Sequence, residues 1–492
     1  MASRYFVNGG VDNNWGTTGN WALSSGGAGG QAVPLSTDDV FLDANSPNCV
    51  LDASARVAKT LNCTSYVSLL TFDQQLSVSG SITIVAAMSF AGATTNKLRM
   101  IAAGTWTTNG KTIPQDVEIG GTTTFTCTLA DALVSSGDLF LTNTSSTIFS
   151  GAFEITATNA TISGSQTLTI VEDFNIQGLT TISDANIING AFQWRTRGLT
   201  TTGDLSGTAT VVFNGTGTWT GAAGTLKNST TINTAGTLTI SGVVLYNTGT
   251  LTYTAGTVVV AGSTLSNNAL LATLNVSGMT WNNITLTGGV TVTLSSNLTL
   301  TGLLTVGSTT VTTTLTGNTI NAGGGLKVEG TTSIISGTTA IVMNGTGTWS
   351  SDQTTGTLRL NLTFNAPGST ITISGTVRCR GNTITYTAGT MSVAGSTLDI
   401  PEATTLNTGA MNWASVEISG SSIYTVTLSS ALNGTGALSL TNTTTQTFSG
   451  AFEMSFSSCT LSGTKTVNIS GHVNITGDTT VSDAHTVDGA FE

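Results

Sequence analysis

Glycines at positions 236, 242, 249, 256 and 262 cut residues 230–262 into pieces of six or seven residues. Within each piece Thr or Ser alternates with Leu, Ile, Val or Tyr. Alternation with a period of two marks a strand that buries one face. Thr, Val, Ile and Tyr suit a pleated surface, and a glycine beside Asn or Ala supplies the positive φ of a tight bend. The same texture fills most of the chain, with turns of one to three residues and no apolar stripe at helical spacing. The chain is therefore expected to be almost wholly β.

Two longer periods organise this texture. Residues 142–193 open TNTSSTIFSGAFE and close SDANIINGAFQ. Residues 441–492 open TNTTTQTFSGAFE and close SDAHTVDGAFE, aligned without gaps at an offset of 299. The match reaches upstream, FTCTLADAL from Phe125 against YTVTLSSAL from Tyr424. A shorter module lies inside. FNGTGTW at 213–219 returns as MNGTGTW at 343–349, TYTAGT at 252 returns at 385, AGSTL at 261 returns at 394, and MTWNNITL around Trp281 returns as MNWASVEI around Trp413. A module of roughly 130 residues thus recurs, its spacing varying by one to three residues, as loops of unequal length on a regular scaffold would give.

Sandwiches and barrels also use short strands, but they close into separate domains with longer loops. Here no Pro-rich or charged stretch interrupts the pattern. One coil alone cannot bury its apolar face and pair its strand edges, so stacking is a condition of folding. The expected fold is all-β: an elongated right-handed parallel β-solenoid (β-helix) of repeated modules with an N-terminal cap. Residues 1–55 are assigned to the cap or attachment segment, 56–124 to the first coils, 125–423 to repeat block one and 424–492 to the start of block two. Trp15, Trp21, Pro34 and the acidic Asp38, Asp39 and Asp43 concentrate in the first segment, where aromatics would cover the first open edge. Position 492 aligns with Gln193, after which the first copy runs on, so the second block is expected to be truncated.

Charged residues are only 8% of the chain, against about 25% in a typical soluble protein. The apolar fraction of 39% is enough for a core, and the net charge of −11 is thinly spread. No basic stripe exists for nucleic acid. Arg195 with Arg197, and Arg378 with Arg380, are the densest basic spots and read as solvated pairs. The opening MASRYFVNGG lacks the basic start and apolar stretch of a secretory signal. No run of about 18 apolar residues is present to span a membrane.

Chemistry-bearing residues are sparse. Five cysteines (Cys49, Cys63, Cys127, Cys379, Cys459) are scattered, and His472 and His485 are the only histidines, so no zinc cluster is expected. Buried free thiols are the reading, with Cys49–Cys63 the one bridge considered. A glycosidase holds two carboxylates about 5–10 Å apart. Glu172/Asp173, Asp399/Glu402 and Asp116/Glu118 are the close pairs, and none has a His, Lys or Arg constellation beside it to tune its proton affinity. Asp38, Asp39, Asp43 and Asn45 offer oxygens to Ca²⁺ but match no defined loop. GGAGG at 26–30 lacks the lysine of a phosphate loop. Sequons at Asn143, Asn214 and Asn344 follow from composition. TVTTTLTGNT at 310–319 has the look of an ice-ordering hydroxyl face, on repeats too irregular to rule one. No catalytic residue, metal or cofactor is expected.

Trp219 with Trp349, and Trp281 with Trp413, hold equivalent module positions. They have two readings: core residues stacked on neighbouring coils, or exposed platforms for a sugar ring.

The opening RYFVNGG…NWALSSGGAGG…VPLSTDDVFLDA, followed by NGTGTW, TYTAGT and TLSS modules, resembles virion structural proteins and tail fibres of marine, cyanophage-like bacteriophages. The resemblance implies a non-enzymatic virion appendage, made in the host cytoplasm. Its implied partners are other virion proteins and a host-surface glycan or receptor, with neither nucleic acid nor membrane insertion. It also implies a homotrimer. Two alternatives stay open: a bacterial surface adhesin or extracellular matrix filament, and a polysaccharide-degrading tailspike.

Overall fold

The computed structural model describes residues 2–7, 9–10, 12–260, 262–268, 271–307, 312–330, 334–351, 356–409 and 411–491. Thr310, the start of the hydroxyl array, and Glu492, the end of the long repeat, lie outside these residues. Strands make up 57% of the chain, with no α-helix and one 3₁₀ turn, Thr18–Asn20, among the described residues. They form a parallel β-solenoid of about 21 turns. The chain divides into two units, residues 1–240 with 254–259 and residues 241–253 with 260–492.

In the first unit the coils present three faces, at first as three short strands each and later with strands such as Phe174–Ile182 running through a corner. Val117–Ile119, Phe125–Leu129 and Leu133–Val134 make one coil, and Leu139–Leu141, Ser146–Ser150 and Ile155–Ala157 make the next. All three faces advance by the same step: Val117 pairs with Leu139, Phe125 with Thr147 and Leu133 with Ile155, all in parallel. Alternation decides what is inside. Phe125, Cys127 and Leu129 are buried, while Thr126 and Thr128 between them face outward. Stacking then puts like on like, as in the column Leu76, Leu98, Val117, Leu139. Each such aliphatic side chain, fully buried, contributes about 1.5–3 kcal/mol.

The unit begins differently. Ser3–Phe6 runs antiparallel to Trp21–Ala22 and parallel to Asp39–Phe41. Cys49 and Cys63, the bridge considered from sequence, are both buried as free thiols. Each sits at an inward position of the apolar core, where a thiol behaves as a small hydrophobe.

The second unit repeats the plan with the same register. Phe125 pairs with Thr147 and Thr147 with Leu168 in the first unit; at the matching places of the later copy, Tyr424 pairs with Gln446 and Gln446 with Val467. The coil is less regular than the alternation. The step from Leu398 to its partner Val416 is shorter than the step from Trp349 to its partner Ile373. Nor do bends always end strands: Leu362–Ser374 runs 13 residues through Gly368 at φ +75°.

The repeated NGTGTW motif has a packing cause. A Cβ on Gly217 would lie 1.9 Å from the carbonyl oxygen of Arg197, and one on Gly347 would lie 2.4 Å from the carbonyl carbon of Gly324. Only glycine lets neighbouring coils close to ladder distance there. The tryptophan that follows then turns inward, Trp219 beside Leu199 and Trp349 beside Leu326.

Candidate functional site

The tryptophans are the first test of a binding surface. Trp219, Trp281 and Trp413 are 0% exposed and Trp349 is 1% exposed. All four stand in the core ladder, so the sugar-platform reading is corrected. Each sits in the inward phase of its strand, flanked by residues such as Thr218 and Thr220, or Thr348 and Ser350. That phase was the available signal: polar residues on both sides of a tryptophan put it on the apolar face.

The residues assigned to the N-terminal segment pack together. Trp15 and Trp21 are fully buried with ring centroids 4.8 Å apart at 70°, and the Trp21 indole donates to the Trp15 carbonyl at 2.7 Å. Phe6 meets Trp21 edge-on at 5.2 Å, and Pro34 is buried. Asp38 accepts the backbone N–H groups of Ala2 (3.0 Å) and Leu35 (3.2 Å). Asp39 accepts the Thr60 hydroxyl at 2.8 Å, and Asp43 accepts the N–H of Asn45 at 2.9 Å. These oxygens are engaged in local hydrogen bonds. Among the described residues no group of three or more His, Cys, Asp or Glu converges as metal ligands would.

The carboxylate pairs change meaning once the coils stack. Glu118 had no base near it in sequence; the structure brings Lys97 to 2.9 Å and Arg99 to 2.8 Å from its two oxygens, across one coil. Thr142, on the coil beyond, donates to the same carboxylate at 2.8 Å. The Lys97 ammonium also lies 3.7 Å over the Phe140 ring, in cation–π range. Burial pushes Glu118 up, but hydrogen bonds from Lys97 and Thr142 and the Arg99 charge outweigh it and hold the carboxyl below its ordinary value. Its neighbour Asp116 is buried, accepts the N–H of Asp138 at 2.8 Å, and is raised chiefly by that burial.

The other two pairs behave alike. Asp399, 1% exposed, takes Arg378 Nε at 2.5 Å and the Ser419 hydroxyl from the coil on the other side. Glu402 takes Arg380 at 3.0 Å and Arg359, two coils back, at 3.1 Å. Asp173 meets Arg195 at 2.5 Å and accepts the N–H of Gln193. Arg195, Arg378 and Arg380 are thus clamps between coils rather than the solvated pairs expected. Sequence inspection missed them because partners lie about one coil apart, and the coil length was not fixed.

Lys465 is a buried cation held by neutral oxygens. Lys465, 6% exposed, donates to the carbonyls of Leu440, Asn442 (3.0 Å) and Ser462 (2.8 Å) and to Asn442 Oδ1 (3.2 Å). Burial draws its pKa down to about 8, against smaller upward effects of Cys459 and Asp483. In the first copy the same place is taken by Gln166, whose amide donates to Leu141 and Ser163 carbonyls.

The geometry defines the class: a parallel β-solenoid repeat protein whose coils are clipped together by buried or half-buried ion pairs. Compared with protein-family models, curated proteins and solved structures, the chain matches none.

Proposed function

We propose that the chain is a non-enzymatic structural fibre or appendage of a bacteriophage virion, its stacked coils a rigid support for attachment to the host surface. The observation that carries this reading is the use of the charged side chains. Glu118, Asp173, Asp399 and Glu402 each bind a lysine or arginine from a neighbouring coil. Half-buried networks of this kind resist separation of one coil from the next. The resemblance of the opening and its modules to phage fibre proteins supports placement on a virion. The same reading makes residues 1–55 a cap or attachment segment, supported by the antiparallel pairing of Ser3–Phe6 and the packed Trp15 and Trp21. Partners are other virion proteins, with three copies of this chain to a fibre.

Immunogold electron microscopy with antibody against this chain tests the proposal. Label on thin projections of phage particles is the expected result. Label on cell envelopes or extracellular filaments, with bare particles, replaces it with a bacterial adhesin or matrix filament. Cleavage of polysaccharide by the purified chain, lost on replacing a carboxylate pair, replaces it with a degrading spike.

A further inference from the structure

Of the eight arginines in the chain, seven pair with a carboxylate among the described residues, and Arg197 is the exception. Its Nη2 donates to Gln177 Oε1 at 3.1 Å, a neutral partner that orients the guanidinium without neutralising it. The two stand on an open groove of about 490 Å³ in the first unit, lined also by Leu179, Thr200, Thr216, Thr218 and Thr220. Small-molecule sites occupy roughly 300–1,000 Å³.

The groove follows from the register. Leu179 pairs with Gly198, which adjoins Thr218 on the coil beyond, so one outward side chain is missing between two that are present. The second module is an internal control. There Leu326 pairs with Trp349 and Gly325 with Thr348, the counterparts of Leu199, Trp219, Gly198 and Thr218. The place of Arg197 is taken by Gly324, whose backbone meets Gly347 as that of Arg197 meets Gly217. The stack builds the same corner with glycine, so packing does not require the arginine.

We propose that this groove binds a carboxylate-bearing sugar residue of a glycan. A guanidinium fork matches a carboxylate with two parallel N–H···O bonds. The threonine hydroxyls both donate and accept, as sugar hydroxyls require. Leu179, 40% exposed, offers apolar surface to the C–H face of the ring. A simple anion would use the arginine alone and a neutral sugar the threonines alone; an acidic sugar uses both. The inference deepens the attachment role and rests on it only for the source of the glycan.

The test is calorimetric titration of the full chain with trigalacturonate, with sialyllactose, and with lactose as the neutral control. Binding of at least one acidic sugar is expected, with lactose at least about tenfold weaker. Arg197→Gln weakens the acidic sugar about tenfold or more, since a hydrogen-bonded charge pair is lost. Thr200→Val weakens it less, and circular dichroism verifies that both variants keep the β signal. Equal affinity of the Arg197→Gln chain, equal affinity for lactose, or no acidic-sugar binding up to about millimolar concentration each overturns the proposal. None of these outcomes touches the fibre reading, which depends on where antibody label falls.

Discussion

Trp413 shows what a single residue does here. It is 0% exposed and pairs with Gly434 on the next coil, which has no side chain to fill the space its indole would leave. Trp413→Ala is expected to cost about 3–5 kcal/mol in denaturant unfolding. A loss under about 1 kcal/mol, the scale of an ordinary surface change, would return the residue to the surface. Lys465 makes the opposite kind of contribution. Its folded pKa of about 8 lies below the ordinary 10.5, so between those values the unfolded chain keeps a proton that the folded chain has released. Stability therefore falls as pH drops from 10.5 towards 8 and is level below that. Lys465→Gln, which installs the residue of the first copy, removes this slope. The stability difference between variant and parent should grow as pH is lowered through the window; a constant difference refutes the assignment.

At the scale of the strand and its corner, glycines fall into two kinds. Gly217 has ordinary φ but no room, its added Cβ meeting the Arg197 carbonyl oxygen at 1.9 Å. Gly375 has room, nothing lying within 4 Å, but a φ of +69°. Gly375→Ala should cost about 1–2 kcal/mol, the strain of a left-handed residue. Gly217→Ala should cost more, because the coils must part locally, and a smaller loss than at Gly375 would show that the corner yields. The sequence displayed both glycines alike. What it did display was the strand texture: alternation around Phe125, Cys127 and Leu129 predicts their burial without reference to any neighbour. It also carried the phase of each tryptophan, in the Thr or Asn beside it. Pairings across coils were hidden. Glu118 finds Arg99 at a separation of 19 and Lys97 at 21, while Leu398 reaches Val416 by a shorter step and Trp349 reaches Ile373 by a longer one. A period that drifts in this way cannot be used to align side chains until the corners are known. The standing of Arg197 was hidden for the same reason: that it pairs with Gln177 and with no carboxylate among the described residues is visible only once the other arginines have found theirs.

For the molecule as a whole, a coil is the unit that can be counted. Leu139 pairs with Ala160 and Ala160 with Thr180, so removing residues 160–179 sets Thr180 where Ala160 stood. That deletion should leave a cooperatively folding β protein, somewhat less stable for having fewer coils. Removing residues 160–169 instead misplaces every face after the cut and should give an aggregating or unfolded chain, read by circular dichroism and size exclusion. If both shortened chains fold equally well, register is not what specifies the stack. The pairing of Phe125 with Thr147, repeated by Tyr424 with Gln446 in the later copy, carries the same point into the chain's ancestry. Unequal crossing-over between similar stretches of DNA inserts or removes whole repeats, and where the repeat spans a whole number of coils the product is already packed. Such a gene can lengthen or shorten in one recombination event, with no compensating substitutions, and its copies are then free to diverge at positions that the scaffold leaves open, as the shorter modules do at Arg197 and Gly324.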